Sequence, residues 1–202
     1  MTDRRHLLLA TTSLFVLAAC GESGSGAAAP AGGFKGVDIT GADYAKGFSL
    51  PDAQGKPRTL DEFKGKAVVV FFGYTQCPDV CPTTMAELAA AKKQLGADGD
   101  KLAAVFVTVD PERDTPEILR AYMSGFDPAF VALRGSVDET LALAKSYKAF
   151  FQKVQGKDPA NYTMDHTAGA YVYDPAGRVR LFVRYGQPVD AWVADLKYLI
   201  AG

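Results

Sequence analysis

The stretch Ala67-Val68-Val69-Val70-Phe71-Phe72-Gly73, followed by Tyr74-Thr75-Gln76-Cys77-Pro78-Asp79-Val80-Cys81-Pro82, decides the reading of this chain. Residues 67–72 are an unbroken β-branched and aromatic run ending at a glycine. A run without polar alternation reads as a strand buried on both faces, the mark of a parallel sheet. From Pro82 the pattern changes period: Met85, Leu88, Ala89, Lys92 and Leu95 recur at helical spacing, and Gly96 stops the helix. Two cysteines therefore lie between the carboxyl end of a buried strand and the start of a helix. Pro82 at the first helical position would place Cys81 at the N-cap, where the positive end of the helix dipole favours thiolate over thiol.

Working outward, 102–109 (LAAVFVTV) reads as a second buried strand. Thr115-Pro116-Glu117 opens a helix through Met123, with Thr as N-cap and Pro at the first position. Residues 130–133 suggest a third strand, and Ser136 caps a helix over 137–148. Residues 149–164 show neither period and read as an excursion or short hairpin. Residues 170–173 and 179–183 flank the turn Asp174-Pro175-Ala176-Gly177 and form an antiparallel hairpin. A closing helix over 189–200 places Trp192, Val193, Leu196 and Ile200 on one face. Upstream, residues 48–63 suggest a short hairpin around Asp52-Ala53-Gln54-Gly55.

This order implies right-handed βαβ units followed by antiparallel strands. The expected class is α/β with a thioredoxin-like layout: a central mixed sheet flanked by helices, an N-terminal hairpin extension, and an insertion before the last hairpin.

The chain has 202 residues, three cysteines and two histidines. Four soft ligands per closed zinc site cannot come from so few, and one bridge cannot staple a chain of this length. A net charge of −1 gives no reason to expect nucleic acid. With 48% hydrophobic and 22% charged residues, the composition is that of a globule with a sizeable core.

The N-terminus accounts for one of each scarce residue. Arg4 and Arg5 precede an uncharged stretch, Leu7–Ala19, which falls short of the roughly 20 residues of a bilayer span and fits a secretory signal. Leu17-Ala18-Ala19-Cys20 resembles the lipobox of bacterial lipoproteins. The expected organisation is a signal peptide over 1–19, a lipidated Cys20 with a flexible Gly/Ser/Ala-rich linker over 20–40, and one domain over 41–202. About thirteen linker residues give a typical reach of about 20 Å. The location implied is the periplasm-facing bacterial cell envelope, held at a membrane through a lipid anchor. Losing the signal removes His6, Asp3, Arg4 and Arg5 and takes the net charge to −2.

The mature domain then keeps Cys77, Cys81 and His166. Taken singly, two cysteines in an exported chain read as a disulfide or free thiols, and a lone histidine as structural. Taken together they fall on adjacent loops of the inferred fold. Three residues separate the cysteines, where the thioredoxin redox motif has two. That spacing still permits a disulfide, and it also lets both sulfurs face one point. Two thiolates and an imidazole suit Cu(I) by softness, and Cu(II) with further ligands. Asp79 is open to tuning the site charge or filling a turn, and Asp165 to orienting His166. Met164 reads as packing. The segment Asp110–Pro116 reads first as turn and capping chemistry, with Asp114 and Thr115 starting the helix, and second as support for the site or a docking surface.

The motifs GYTQCPDVCP (73–82), VTVDPERDTP (107–116) and DHTA (165–168), with FKGKAVVVFFGYT (63–75), make the chain resemble the Sco/SenC family of copper chaperones. The resemblance implies one copper ion bound by Cys77, Cys81 and His166. It also implies delivery to, or thiol preparation of, the CuA centre of cytochrome c oxidase subunit II. FVALRGS (130–136) departs from the family pattern in a packing segment. A metallochaperone is not an enzyme in the strict sense, and the expected state is monomeric. A competing reading makes Cys77 and Cys81 the redox-active pair of a membrane-tethered thiol–disulfide oxidoreductase. Such an enzyme has no need of His166, and thioredoxin-like enzymes carry a proline where this chain reads DHTAGAY. A peroxidase shares the layout, but no peroxidatic motif is present, and a copper or redox sensor is a further alternative.

Overall fold

The computed structural model describes residues 33–157 and 161–202. The expected signal, Cys20 and most of the linker lie outside the described residues. In chain order the elements are β1 (Val37–Asp38), β2 (Ser49–Pro51), β3 (Pro57–Thr59), β4 (Ala67–Gly73), α1 (Val80–Gln94), β5 (Leu102–Thr108), α2 (Pro116–Ser124), β6 (Val131–Leu133), α3 (Val137–Ser146), β7 (Phe151–Gln155), β8 (Tyr162–His166), β9 (Gly169–Tyr173), β10 (Val179–Arg184) and α4 (Val189–Ala201).

The central sheet runs β1-β10-β9-β4-β5-β6. β4, β5 and β6 are parallel, joined through α1 and α2. β9 joins β4 antiparallel, and β10 folds back on β9 across the Asp174–Gly177 turn. This is the expected mixed sheet flanked by helices. β4 is its centre, with residues 67–72 each at most 1% exposed. Consecutive side chains on it point to opposite faces. Phe71 meets Phe106, which in turn meets Tyr122 of α2, while Phe72 packs on Tyr147 and Tyr171 across the sheet. Burying a valine or phenylalanine contributes about 1.5–3 kcal/mol, so this strand anchors the domain.

Four details differ from the sequence expectation. α1 starts at Val80 with Asp79 as N-cap, so Cys81 is its second residue and Pro82 its third. Proline is tolerated there because the amides of the first turn have no intrahelical partner. α3 stops at Ser146, where Tyr147 caps it and Lys148 turns left-handed at φ 54°. On α4 the buried face is Trp192, Val193, Leu196 and Leu199, with Ile200 half-buried.

The fourth is an edge strand. The expected domain boundary at 41 falls after β1, which pairs Val37 with Phe182 and Asp38 with Leu181. It is fastened by the buried Asp195 of α4, which accepts the amides of Lys35 and Gly36, each at 2.8 Å. No helix among the described residues is long and apolar enough to cross a membrane.

The expected N-terminal hairpin is β2–β3, and the stretch 149–164 belongs to the hairpin β7–β8. Each is a two-stranded sheet separate from the central one.

Candidate metal centre

Two structural units meet at the carboxyl end of β4. The first is the cysteine loop. Beyond Gly73 it turns so that the Cys77 amide donates to the Tyr74 carbonyl at 3.2 Å. Cys81 then sits in the first turn of α1, fully buried, with Cys77 9% exposed. The Cys81 amide, one of those with no intrahelical partner, points at Cys77 Sγ at 3.4 Å. The sulfur thus does what a capping oxygen usually does, and the Asp79 side chain makes no capping bond. The second unit is β7–β8, which ends on His166 opposite Phe151. His166 Nε2 lies 3.5 Å from Cys81 Sγ. One ligand atom from each of Cys77, Cys81 and His166 falls within 4.8 Å of the others. The two cysteines are unbridged. The fold thus brings together all three residues that the sequence singled out.

The two thiols are held in different states. Cys77 is lowered to about 4, first by a hydrogen bond from the Cys81 thiol, against the opposing effect of burial, with help from His166 and the amides of Asp79 and Cys81. Cys81 is pushed up, chiefly by burial and then by the neighbouring Cys77 sulfur. The pair therefore shares one proton, leaving Cys77 as the thiolate and Cys81 as the thiol.

The imidazole is fixed on three sides. Nδ1 lies 3.2 Å from the Thr167 carbonyl. That contact sets the orientation of the ring and turns its Nε2 edge toward the sulfurs. Phe71 and Tyr74 meet the ring edge-on, with centroids 5.9 and 6.0 Å away. The orienting acceptor is thus a backbone carbonyl, and Asp165 stays exposed on β8. Met164 is buried, in keeping with packing.

The loop after β5 does more than turn and cap. Thr115 caps α2 as expected, its hydroxyl accepting from the Ile118 amide. Asp114 does not start the helix. It is fully buried and accepts from the Thr75 amide, the Thr75 hydroxyl and the Thr108 hydroxyl, which pins the cysteine loop to the end of β5. Burial raises its carboxyl above the ordinary value. Asp110 is buried too, paired with Arg113 and accepting from the Tyr162 hydroxyl at 2.8 Å. Asp79 accepts from the Tyr185 hydroxyl at 3.1 Å, joining the cysteine loop to the end of β10.

Gly73 is a site residue that the sequence reading passed over as a strand end. A Cβ there would come within 2.9 Å of Cys81 Sγ and 2.8 Å of the Phe71 ring. Its place directly before the cysteine loop was the available signal.

With two thiol sulfurs and an imidazole nitrogen converging on one point, the donor set fits a soft metal ion. The SCO1/SenC family model matches residues 37–201. The chain belongs to the SCO1/SenC family. Among curated relatives, the mitochondrial protein SCO2 of Saccharomyces cerevisiae is 37% identical over 133 residues, covering 65% of this chain and 44% of that protein. The chain thus spans less than half the length of that relative. Among solved structures, copper-bound ScoI of Bradyrhizobium japonicum is 42% identical with a TM-score of 0.69, covering 76% of this chain and 97% of that one. A SCO1/SenC family lipoprotein from Bacillus anthracis is 25% identical with a TM-score of 0.64, covering 76% and 92%. These likenesses make the fold thioredoxin-like, as expected.

Proposed function

We propose that this chain is a copper metallochaperone, holding one copper ion through Cys77, Cys81 and His166. The observation that carries the reading is the convergence of these three side chains within 4.8 Å. The copper-bound relative from Bradyrhizobium japonicum supports the choice of metal. Three ligands leave copper an open position, so an incoming thiolate can take it over by ligand exchange. The acceptor is the CuA site of cytochrome c oxidase subunit II or a partner that delivers to it.

Residues 1–19 are cleaved as a signal, Cys20 carries the lipid, and the Gly/Ser/Ala-rich stretch ahead of β1 lets the folded domain reorient at the periplasmic face of a membrane. The lipoprotein relative from Bacillus anthracis supports this placement. The test is transfer. The copper-loaded chain is mixed with copper-free subunit II domain, and CuA absorption is followed. Wild type builds the CuA spectrum and the His166→Ala chain does not; no transfer from wild type overturns the reading.

One observation favours the oxidoreductase reading as a second activity of the same pair. A Cys77 thiolate beside a buried Cys81 thiol is the arrangement of an attacking and a resolving cysteine. Disulfide reduction that survives His166→Ala would establish it.

A further inference from the structure

The hairpin that carries His166 is poorly held by its own packing. β7–β8 is a two-stranded sheet outside the central one, and most of its side chains are exposed or half-buried. Two-stranded hairpins are marginal by themselves. An imidazole at the end of such an element needs an explicit tie to the cysteine loop if it is to stay within reach of the sulfurs.

Arg113 supplies that tie. Its Nη1 donates to the Tyr162 carbonyl at 2.9 Å and to Gln76 Oε1 at 3.1 Å. Gln76 directly precedes Cys77, and Tyr162 opens the strand that ends on His166. One nitrogen thus links the two halves of the ligand set. The same guanidinium lies 3.5 Å from the centre of the Tyr162 ring and 5.8 Å from that of Tyr74, the ring that packs on His166. Its Nε is paired with the buried Asp110, which also takes the Tyr162 hydroxyl. Lys153, on the partner strand, lies 3.8 Å from the centre of the Tyr162 ring, so that the ring meets two cations.

We propose that Arg113 is a positioning residue for the copper centre. It acts through Tyr162 and Gln76 to hold the His166 hairpin against the cysteine loop. Without it, Cys77 and Cys81 keep copper while the imidazole leaves. The inference rests on the copper reading above.

The experiment measures Cu(I) affinity by competition with a chelator, and nitrogen coupling in the Cu(II) electron paramagnetic resonance spectrum. The full chain is used in detergent, as wild type, His166→Ala, Arg113→Ala and the double variant. Arg113→Ala is expected to lose about 10–100-fold in affinity, the usual cost of removing a group that supports a ligand. It is also expected to lose the imidazole coupling. The double variant should be no weaker than His166→Ala, because both changes remove the same ligand. Arg113→Lys should fail to restore the coupling, since an ammonium lacks the planar fork that reaches three acceptors.

Wild-type affinity with retained nitrogen coupling in Arg113→Ala, or additive losses in the double variant, would overturn the assignment. If Arg113→Ala does not fold, Tyr162→Leu, which removes the ring and hydroxyl held by Arg113 and Asp110, combined with Gln76→Ala, which removes the other end of the link, is read by the same criteria. A wild-type chain that takes up no copper would overturn the proposed function itself, a result distinct from either.

Discussion

Cys81 Sγ and His166 Nε2 stand 3.5 Å apart although 85 residues separate them in sequence. One is the fully buried second residue of a helix that starts at the sheet, and the other is the last residue of a hairpin outside it. Their closeness is a tertiary property, set by what holds each unit in place.

The steric limit on this arrangement is Gly73. An added methyl would lie within 3 Å of Cys81 Sγ, the Phe71 ring and the Phe106 ring, none of which has room to retreat in a filled core. Gly73→Ala is expected to cost about 1–3 kcal/mol of folding stability. It is also expected to weaken copper binding by displacing the sulfur. Urea unfolding and a copper competition titration check the two halves; an unchanged copper affinity would mean that Cys81 tolerates displacement.

Asp114 fixes the other side of the loop. Asp114→Ala leaves the Thr75 amide, the Thr75 hydroxyl and the Thr108 hydroxyl without their shared acceptor in a buried place. The expected loss is about 2–4 kcal/mol, since each abandoned donor carries a desolvation penalty. Chemical denaturation reads it directly. A loss under about 0.5 kcal/mol, the size typical of a surface change, would show that the carboxyl is not what holds Thr75.

The uneven thiol pair has a pH signature. In the copper-free chain Cys77 is a thiolate down to about 4, below the ordinary thiol value of 9.0. Its folded-state value is depressed, so its contribution to stability is whole above the ordinary thiol value. That contribution falls progressively with pH and is gone below about 4. Cys77→Ser should therefore flatten the pH dependence of stability across that window. Alkylation mapped by mass spectrometry should modify Cys77 before Cys81 at neutral pH, with a rate that declines only as pH approaches about 4. Faster labelling of Cys81 would reverse the assignment of the thiolate.

Copper uptake should also release the proton that burial holds on Cys81. Calorimetry in buffers of different ionisation enthalpy counts it, and Cys81→Ser should release about one proton fewer at neutral pH. Equal release by both chains would place the proton elsewhere.

Much of this was legible in the sequence because its signals are local. The run Ala67–Phe72, the period change after Pro82, the caps at Thr115 and Ser136, and the turn at Asp174–Gly177 each act within a few residues. The candidate ligands were legible through scarcity, since the chain beyond residue 20 holds only two cysteines and one histidine, which leaves few combinations. What escaped was long-range. β1 is two residues long, too short for a periodic signal, and exists because β10 offers an edge and Asp195 accepts two amides. The start of α1 was misjudged because proline fits anywhere in a first turn, and here a sulfur takes the capping role. Asp110, Arg113 and Asp114 read as turn formers because their partners, Thr75, Gln76 and Tyr162, lie 37 or more residues away along the chain.

The central claim is that His166 completes a three-ligand copper site with Cys77 and Cys81. Its most direct test is copper content, affinity and spectrum of the full chain, wild type against His166→Ala. The account predicts one copper per wild-type chain with imidazole nitrogen coupling, and a His166→Ala chain that has lost the coupling and binds copper more weakly. A His166→Ala chain with wild-type affinity and spectrum would contradict it.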